Sequence, residues 1–449
     1  MTDSAVHADT AAPPDHEAIR RQGWRATWLL LAFMLVNFAD KAVLGLAAKP
    51  IMQEMNLTRT EFGAASTAFF ALFSLSALLG SFLTRKVTST ALLLVMAVLW
   101  SAAQLPMLAN VGFGVLVATR LLLGAAEGPA APVAFHHLFG WFGHRDRQLP
   151  LAIVNAGAVA GIVVAGPVLS TVIEHFGWRA AFGTVGVAGL VWAAVWYRLG
   201  KDGPDSGLDG HGAEGHAPEA HGEDADGGVG TTSAAPAPAV PYRRIILCGT
   251  WLASAFAAFA VYWHLASFLT WTADYLQTVS GLTTQQAGYA VSGEAAVAGL
   301  LVVGFAFLAR RLQHRGPTRA TEFWGAGLLV VSAVGTALFG VVDSTTLKLV
   351  LLVLLMPACS VVIVLAEAAV GRIAPAVRRG VSLGALTFVF SLAGGLSPLV
   401  VGRIVDVAAS PAAGYRSGYL VSAALLAVAA VTTLLWMRPE RDAERLAAG

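Results

Sequence analysis

The sequence predicts an all-α polytopic membrane protein of about twelve transmembrane helices in two pseudo-symmetric six-helix bundles. Three observations lead there. Of the 449 residues 56% are hydrophobic and only 12% charged, with a mean hydropathy of +0.68. Soluble chains carry roughly 25% charged residues, so the polar surface available here is too small to cover a water-soluble particle of this size. Apolar runs of about 20 residues, the length that crosses hydrocarbon as helix, recur along the whole chain. One long polar stretch divides those runs six and six.

In the first half the runs lie near Trp24–Ala48, Phe62–Thr84, Ala91–Ala109, Phe113–His136, Leu149–Ile173 and Trp178–Tyr197. In the second they lie near Ile245–Tyr275, Ala287–Leu308, Phe323–Val342, Leu347–Val370, Gly380–Ile404 and Gly418–Met437. Each is expected to be helix, because an open strand would leave backbone groups unpaired in lipid. Met1 to His16 is polar and acidic and the run that follows exceeds a signal-peptide core. It reads as a cytoplasmic tail. Basic residues fix the expected orientation, with both termini in the cytoplasm of a cell-membrane protein. The loops then outside hold only Lys49, Arg59, Arg179, Lys348, Arg403 and Arg416. Nearly all the other basic residues fall in the inner segments.

Residues 201–241 are rich in Gly, Ala, His, Asp and Pro and poor in large apolar side chains. Such a segment cannot bury enough surface to fold. The expected organisation is a tail (1–22), a six-helix bundle (23–200), a flexible cytoplasmic linker (201–241), a second bundle (242–438) and a short C-terminal tail (439–449). His211, His216 and His221 recur in the linker, which reads as low-complexity sequence rather than a metal site. Two six-span halves place a transported solute at their interface near mid-membrane.

Two basic residues, Lys41 and Arg120, fall deep within runs, each with an acid nearby, Asp40 and Glu127. Intramembrane charge is costly and marks function by default. Arg120 and Glu127, seven residues apart, share a helix face about 10 Å apart. Buried ion pairs are weak stabilisers, so helix packing alone explains the four charges poorly. A cation in a dry cavity can bind a carboxylate, which makes Lys41 and Arg120 candidate substrate ligands. A buried carboxyl can take and release a proton near neutral pH, which makes Asp40 and Glu127 candidate proton sites. Glu294, in the eighth run, is a further candidate proton site. In the seventh, Tyr262 and His264 are candidate substrate contacts, His264 either titrating or serving as a neutral wall residue. Trp271 and Tyr275 read as an interfacial aromatic belt. Glu367, close to Arg372, reads as an inner-gate ion pair. Gly157, Gly161, Gly166, Gly394 and Gly395 read as packing residues.

The rest of the sequence is negative evidence. Net charge is +2, which suggests no nucleic-acid partner. Cys248 and Cys359 lie in apolar runs and read as small packed hydrophobes. No phosphate loop, HExxH or GxSxG occurs, so no enzyme site and no ATP engine is expected. No cofactor is expected beyond the proton as coupling ion.

With these features in hand, the whole chain resembles the major facilitator superfamily, and more narrowly its anion:cation symporters of hexuronates, sugar acids and aromatic acids. The matching stretches are NFADKAVLGLAAKPIMQEMNLTRTEFG, RLLLGAAEGPAAP, IEHFGWRAAF and SFLTWTADYLQTVSGLTTQQAG. The second of these, Arg120 to Pro132, is the most specific. The resemblance implies that Asp40 and Glu127 carry protons and that Lys41 and Arg120 engage a carboxylate. Lys41 stands where the family more often has Arg. The chain departs from the superfamily's loop signature at Thr84 and Val87, where only Gly80 and Arg85 fit, and at Arg310, where an acid is usual. Thr387 and Ser391 replace residues that are often Asn.

The leading expectation is therefore secondary active transport by alternating access, as proton-coupled symport of a small organic anion by a monomer in the bilayer. The alternative is an exporter or uniporter of a neutral or hydrophobic solute, suggested by Gly166-Pro167. A receptor that binds ligand without flux is a third reading.

Overall fold

A computed structural model describes residues 16–83, 86–143, 146–204, 241–313 and 320–447. The histidines of the linker, most of that linker, Thr84 and Arg85, and the side chains of Gly80 and Arg310 lie outside the described residues.

Twelve long helices follow the apolar runs, most of them extended at one or both ends by a few residues. In the first half they are α1 His16–Leu46, α2 Arg59–Leu83, α3 Ser89–Gln104, α4 Phe113–Phe139, α5 Gln148–Phe176 and α6 Trp178–Leu199. In the second they are α7 Gly249–Thr278, α8 Thr284–Gln313, α9 Ala320–Val341, α10 Thr345–Ile373, α11 Ala376–Val407 and α12 Pro411–Trp436. Among the described residues eleven are long and apolar enough to cross a membrane. The remaining one, α2, is 25 residues of helix packed among them. Two helices are interrupted. Pro129, which has no N–H to donate, separates Phe113–Glu127 from Ala130–Phe139 in α4. In α10 the backbone widens to a π turn over Leu351–Leu355 and tightens to a 3-10 turn over Met356–Cys359, where Pro357 stands.

The helix pairings of the first half recur in the second. α1 packs on α5 as α7 does on α11, and α3 packs on α6 as α9 does on α12. The halves meet along α2–α11 and α5–α8, with α1 crossing α7 between them. The repeat extends to side chains. Thr58 and Glu61 form a reciprocal capping box at the start of α2, Thr58 N–H donating to Glu61 Oε2 at 2.9 Å and Glu61 N–H to Thr58 Oγ1 at 3.2 Å. Thr283 and Gln286 do the same at the start of α8, at 3.0 and 3.2 Å. Two residues on, Gly63 and Gly288 lie against the other half, where an added Cβ would stand 2.4 Å from Pro398 O and 2.6 Å from Gly166 O. No side chain fits at either contact.

Two corrections concern polar and aromatic residues. Trp271 and Tyr275 are 1% and 2% exposed, not an interfacial belt. Tyr275 packs with Phe339, Tyr415 and Tyr419, and the Trp271 indole donates to Pro398 O, so these rings knit α7 to α9, α11 and α12. Glu367 is exposed and no ion pair joins it to Arg372 among the described residues. Five residues apart on a helix, the two point about 140° away from each other. Gly157 and Gly161 do admit the α1 backbone, as expected, whereas Gly395 has no neighbour within 4 Å of a built Cβ.

Candidate functional site

Asp40 and Lys41 sit in the last two turns of α1, and Arg120 and Glu127 face them from α4. All four line one cavity of about 240 Å³ between the halves. Asp40, Arg120 and Glu127 are at most 1% exposed, while the Lys41 side chain is 13% exposed. The charges pair in two different ways. Lys41 Nζ lies 2.7 Å from Glu127 Oε2 and donates to Asn37 Oδ1 at 2.5 Å, one turn back on α1. Asp40 and Arg120 are bridged instead of paired directly. Gln104, the last residue of α3, donates from Nε2 to Asp40 Oδ1 and accepts from Arg120 Nη2 at 2.7 Å. Arg120 also lies over the Phe182 ring at 5.3 Å. Several polar atoms here are buried without a hydrogen-bond partner: Asn37 Nδ2, Asp40 Oδ2, Arg120 Nε and both carboxylate oxygens of Glu127, which meets Lys41 as an ion pair.

Asn37 and Gln104 escape a search for charges, and only a polar side chain inside an apolar run marks them. Tyr262 lies on the cavity wall. His264 and Glu294 do not line this cavity. Both are buried, at 5% and 6% exposure, and His264 Nε2 has no partner.

Beyond the charges the walls are apolar. Phe38, Phe69, Phe70 and Phe73 line one side and Tyr262, Leu265 and Leu269 the other. The rings form a continuous chain, with Phe69–Phe73 at 5.4 Å, Phe69–Phe70 at 5.0 Å and Phe70–Tyr262 at 6.1 Å between centroids. Ser66 and Thr270, also on the wall, hydrogen-bond each other at 3.0 Å.

The cavity is closed at the end where Arg59 lies. There Arg59 Nε meets Asp274 Oδ2 at 3.2 Å, and the Tyr415 hydroxyl donates to the same carboxylate. Asp406 accepts from Arg59 N–H, Thr60 N–H and Thr60 Oγ1 at 3.1, 2.7 and 2.6 Å. Lys49 Nζ donates to Gln277 O at 3.3 Å, and Gln285 to Thr171 at 3.0 Å. Toward the opposite end, where Gly200 and Tyr242 lie, no ion pair joins the halves among the described residues.

Residues 29–398 match the family model described as Major Facilitator Superfamily. The chain belongs to this superfamily. As a major facilitator it is a multi-pass membrane protein and a secondary transporter, not an enzyme. It is similar to the hexuronate transporter of Bacillus subtilis, 23% identical over 409 residues that cover 90% of this chain and 92% of that protein. It is similar also to the D-galactonate transporter of Escherichia coli O6:H1, 25% identical and covering 90% and 92%. Among solved structures, a bacterial homologue of the human lysosomal transporter Spinster in an inward-facing, occupied conformation matches at a TM-score of 0.75 with 17% identity, over 97% of this chain and 99% of that one. At that identity the likeness shows the fold.

Proposed function

We propose that this major facilitator is a proton-coupled symporter of a small organic anion. The observation that carries the reading is the Lys41–Glu127 ion pair on a cavity between two halves that are joined at one end. The site holds two acids and two bases, a balanced set. Bringing one carboxylate and one proton into it preserves that balance, whereas either alone leaves an uncompensated buried charge. Protonating Glu127 frees Lys41 to meet the substrate's carboxylate. When the substrate leaves, Lys41 returns to Glu127 and favours loss of its proton. Each ligand thus raises affinity for the other, which is the thermodynamic content of symport. Asp40 is a second proton site, held near Arg120 through Gln104. Arg120 lies one layer beneath Lys41 and keeps the base of the cavity positive. Tyr262 forms part of the wall.

The two bodies that rock are residues 23–200 and 242–438, connected by the linker 201–241. With the Gly200 end cytoplasmic, as the placement of basic residues supports, the arrangement is closed to the outside and the protein resides in the cell membrane with both termini inside. The relatives that transport hexuronate and D-galactonate support an anionic substrate. The test is uptake of radiolabelled sugar acids and aromatic acids into proteoliposomes with and without an inward proton gradient, using protein-free liposomes as the leak control. Gradient-driven accumulation that Glu127→Gln uncouples is the expected result. Indifference of flux to all four charges would shift the reading to a neutral or hydrophobic solute.

A further inference from the structure

The cavity's unsatisfied groups and its walls describe a particular kind of anion. An ammonium has three N–H donors. Lys41 donates one of them to Asn37 Oδ1 and sets its charge 2.7 Å from Glu127 Oε2 as an ion pair, which leaves N–H capacity for a ligand. Beside it the Asn37 amide, whose oxygen already faces Lys41, carries a buried Nδ2 with no partner. One ammonium N–H and one amide N–H, adjacent and unpaired, fit the two oxygens of a single carboxylate. A second carboxylate would meet no free cation, because the Arg120 guanidinium already donates to Gln104 and lies over the Phe182 ring.

The remainder of the ligand meets rings. Phe38 and Phe73 flank the ammonium, their centroids 4.5 and 5.6 Å from Nζ, and Phe70 and Tyr262 continue the wall across to the other half. A sugar acid brings a hydroxyl on almost every carbon, and each hydroxyl buried without a partner is penalised. The wall has few partners for them: Ser66 and Thr270 share one hydrogen bond with each other, and most of the remaining lining away from the four charges is ring and aliphatic carbon. A flat apolar ring, by contrast, gains both burial and edge or face contacts here.

Resting on the symport reading above, we propose that the substrate is a small monocarboxylate with an apolar aromatic tail, held at its carboxylate by Lys41 Nζ and Asn37 Nδ2 and along its ring by Phe38, Phe70, Phe73 and Tyr262. This assigns Asn37 as a substrate-binding residue and sets the substrate class apart from that of the sugar-acid transporters the chain resembles.

The test is calorimetric titration of the full-length protein in lipid nanodiscs with benzoate, D-galactonate and the dianion phthalate, with protein-free nanodiscs as the blank for partition into lipid. Benzoate is expected to bind at least about tenfold more tightly than either competitor, and Phe70→Ala to weaken benzoate by about tenfold. Asn37→Leu, which keeps the volume and removes the amide, is expected to weaken it similarly. Tighter binding of D-galactonate than of benzoate would overturn the substrate class while leaving anion symport standing. Tighter phthalate would overturn the single-carboxylate geometry. Unchanged benzoate affinity in both Phe70→Ala and Asn37→Leu would overturn the placement. Failure of all three anions to bind protein that still unfolds cooperatively would remove the symport reading itself.

Discussion

At the scale of single residues, Gln104 is the least expected participant. A glutamine between a carboxylate and a guanidinium satisfies both without letting them form a direct ion pair. The spacing matters for coupling, because a direct ion pair would hold Asp40 ionised until an anion displaced its cation, as the substrate does for Glu127 in the proposed cycle, whereas the bridge lets Asp40 take a proton without that exchange. Gln104→Leu removes the bridge. Leaving either charged partner unsatisfied costs about 1–3 kcal/mol, so Arg120 is expected to collapse onto Asp40. Gradient-driven accumulation should then fall by about tenfold or more while exchange of substrate across the membrane persists. Equal losses in both assays would show that Gln104 serves folding alone. Asp40, Lys41, Arg120 and Glu127 were legible in the sequence because a charge within an apolar run has few cheap explanations. Asn37 and Gln104 were not, because an uncharged polar side chain in a span can satisfy itself on the backbone or a neighbour.

Helices show where pattern reading succeeds and where it stops. Runs of apolar residues located all twelve long helices, since span length is set by bilayer thickness. The capping boxes Thr58–Glu61 and Thr283–Gln286 follow a pattern LTxx[EQ]xG that recurs across the halves, a signal that lies outside the apolar runs. The irregular turn of α10 was not legible, because no residue other than Pro357 marks it, and the burial of Trp271 and Tyr275 depended on partners from three distant helices. Capping from outside a bundle was invisible for the same reason. After α12, the amphipathic helix Pro439–Ala447 places Asp442 at the start of α7, accepting from Thr250 N–H at 2.9 Å and Thr250 Oγ1 at 2.7 Å, while Leu446 enters a cluster with Ile245 and Trp251. Burial pushes the Asp442 carboxyl up, but the hydrogen bonds from Thr250 and the Arg441 guanidinium outweigh it and hold the group below its usual value of 3.8. A lowered value means that this docking is fully stabilised above about pH 3.8 and is lost as pH falls through the lowered value. Between neutral and mildly acidic pH it should not change. Asp442→Ala should cost about 0.5–2 kcal/mol of cap energy, seen as faster hydrogen exchange over residues 439–447 and at Thr250 once corrected for intrinsic rates. Wild-type exchange rates in the mutant would assign docking to Leu446 alone.

For the whole molecule, alternating access requires that the contacts closing the Arg59 end be strong enough to hold one state and weak enough to release it. The contacts there are of two kinds. Apposed backbone at Gly63 and Gly288 gives close packing with no side-chain interlock to undo. Arg59, Asp274, Tyr415 and Asp406 add a charged network that spans the halves. Because Asp274 is buried and shared by Arg59 and the Tyr415 hydroxyl, replacing it by Asn removes the charge while keeping the shape. Hydrogen bonds to charged groups contribute about 1.5–3 kcal/mol, which converts to a shift of about ten- to a hundredfold in the equilibrium between the two states. Spin labels at His175 and Asp343, both exposed near this end on opposite halves, report the separation by pulsed dipolar spectroscopy, with Cys248 and Cys359 replaced. Asp274→Asn should move population from a short to a long distance. A single short distance in the variant would mean that packing at the glycines, not the charged network, sets the balance. The gate would then be sought in Gly63→Ala and Gly288→Ala, where a new Cβ has to push the α2–α11 and α5–α8 backbones apart.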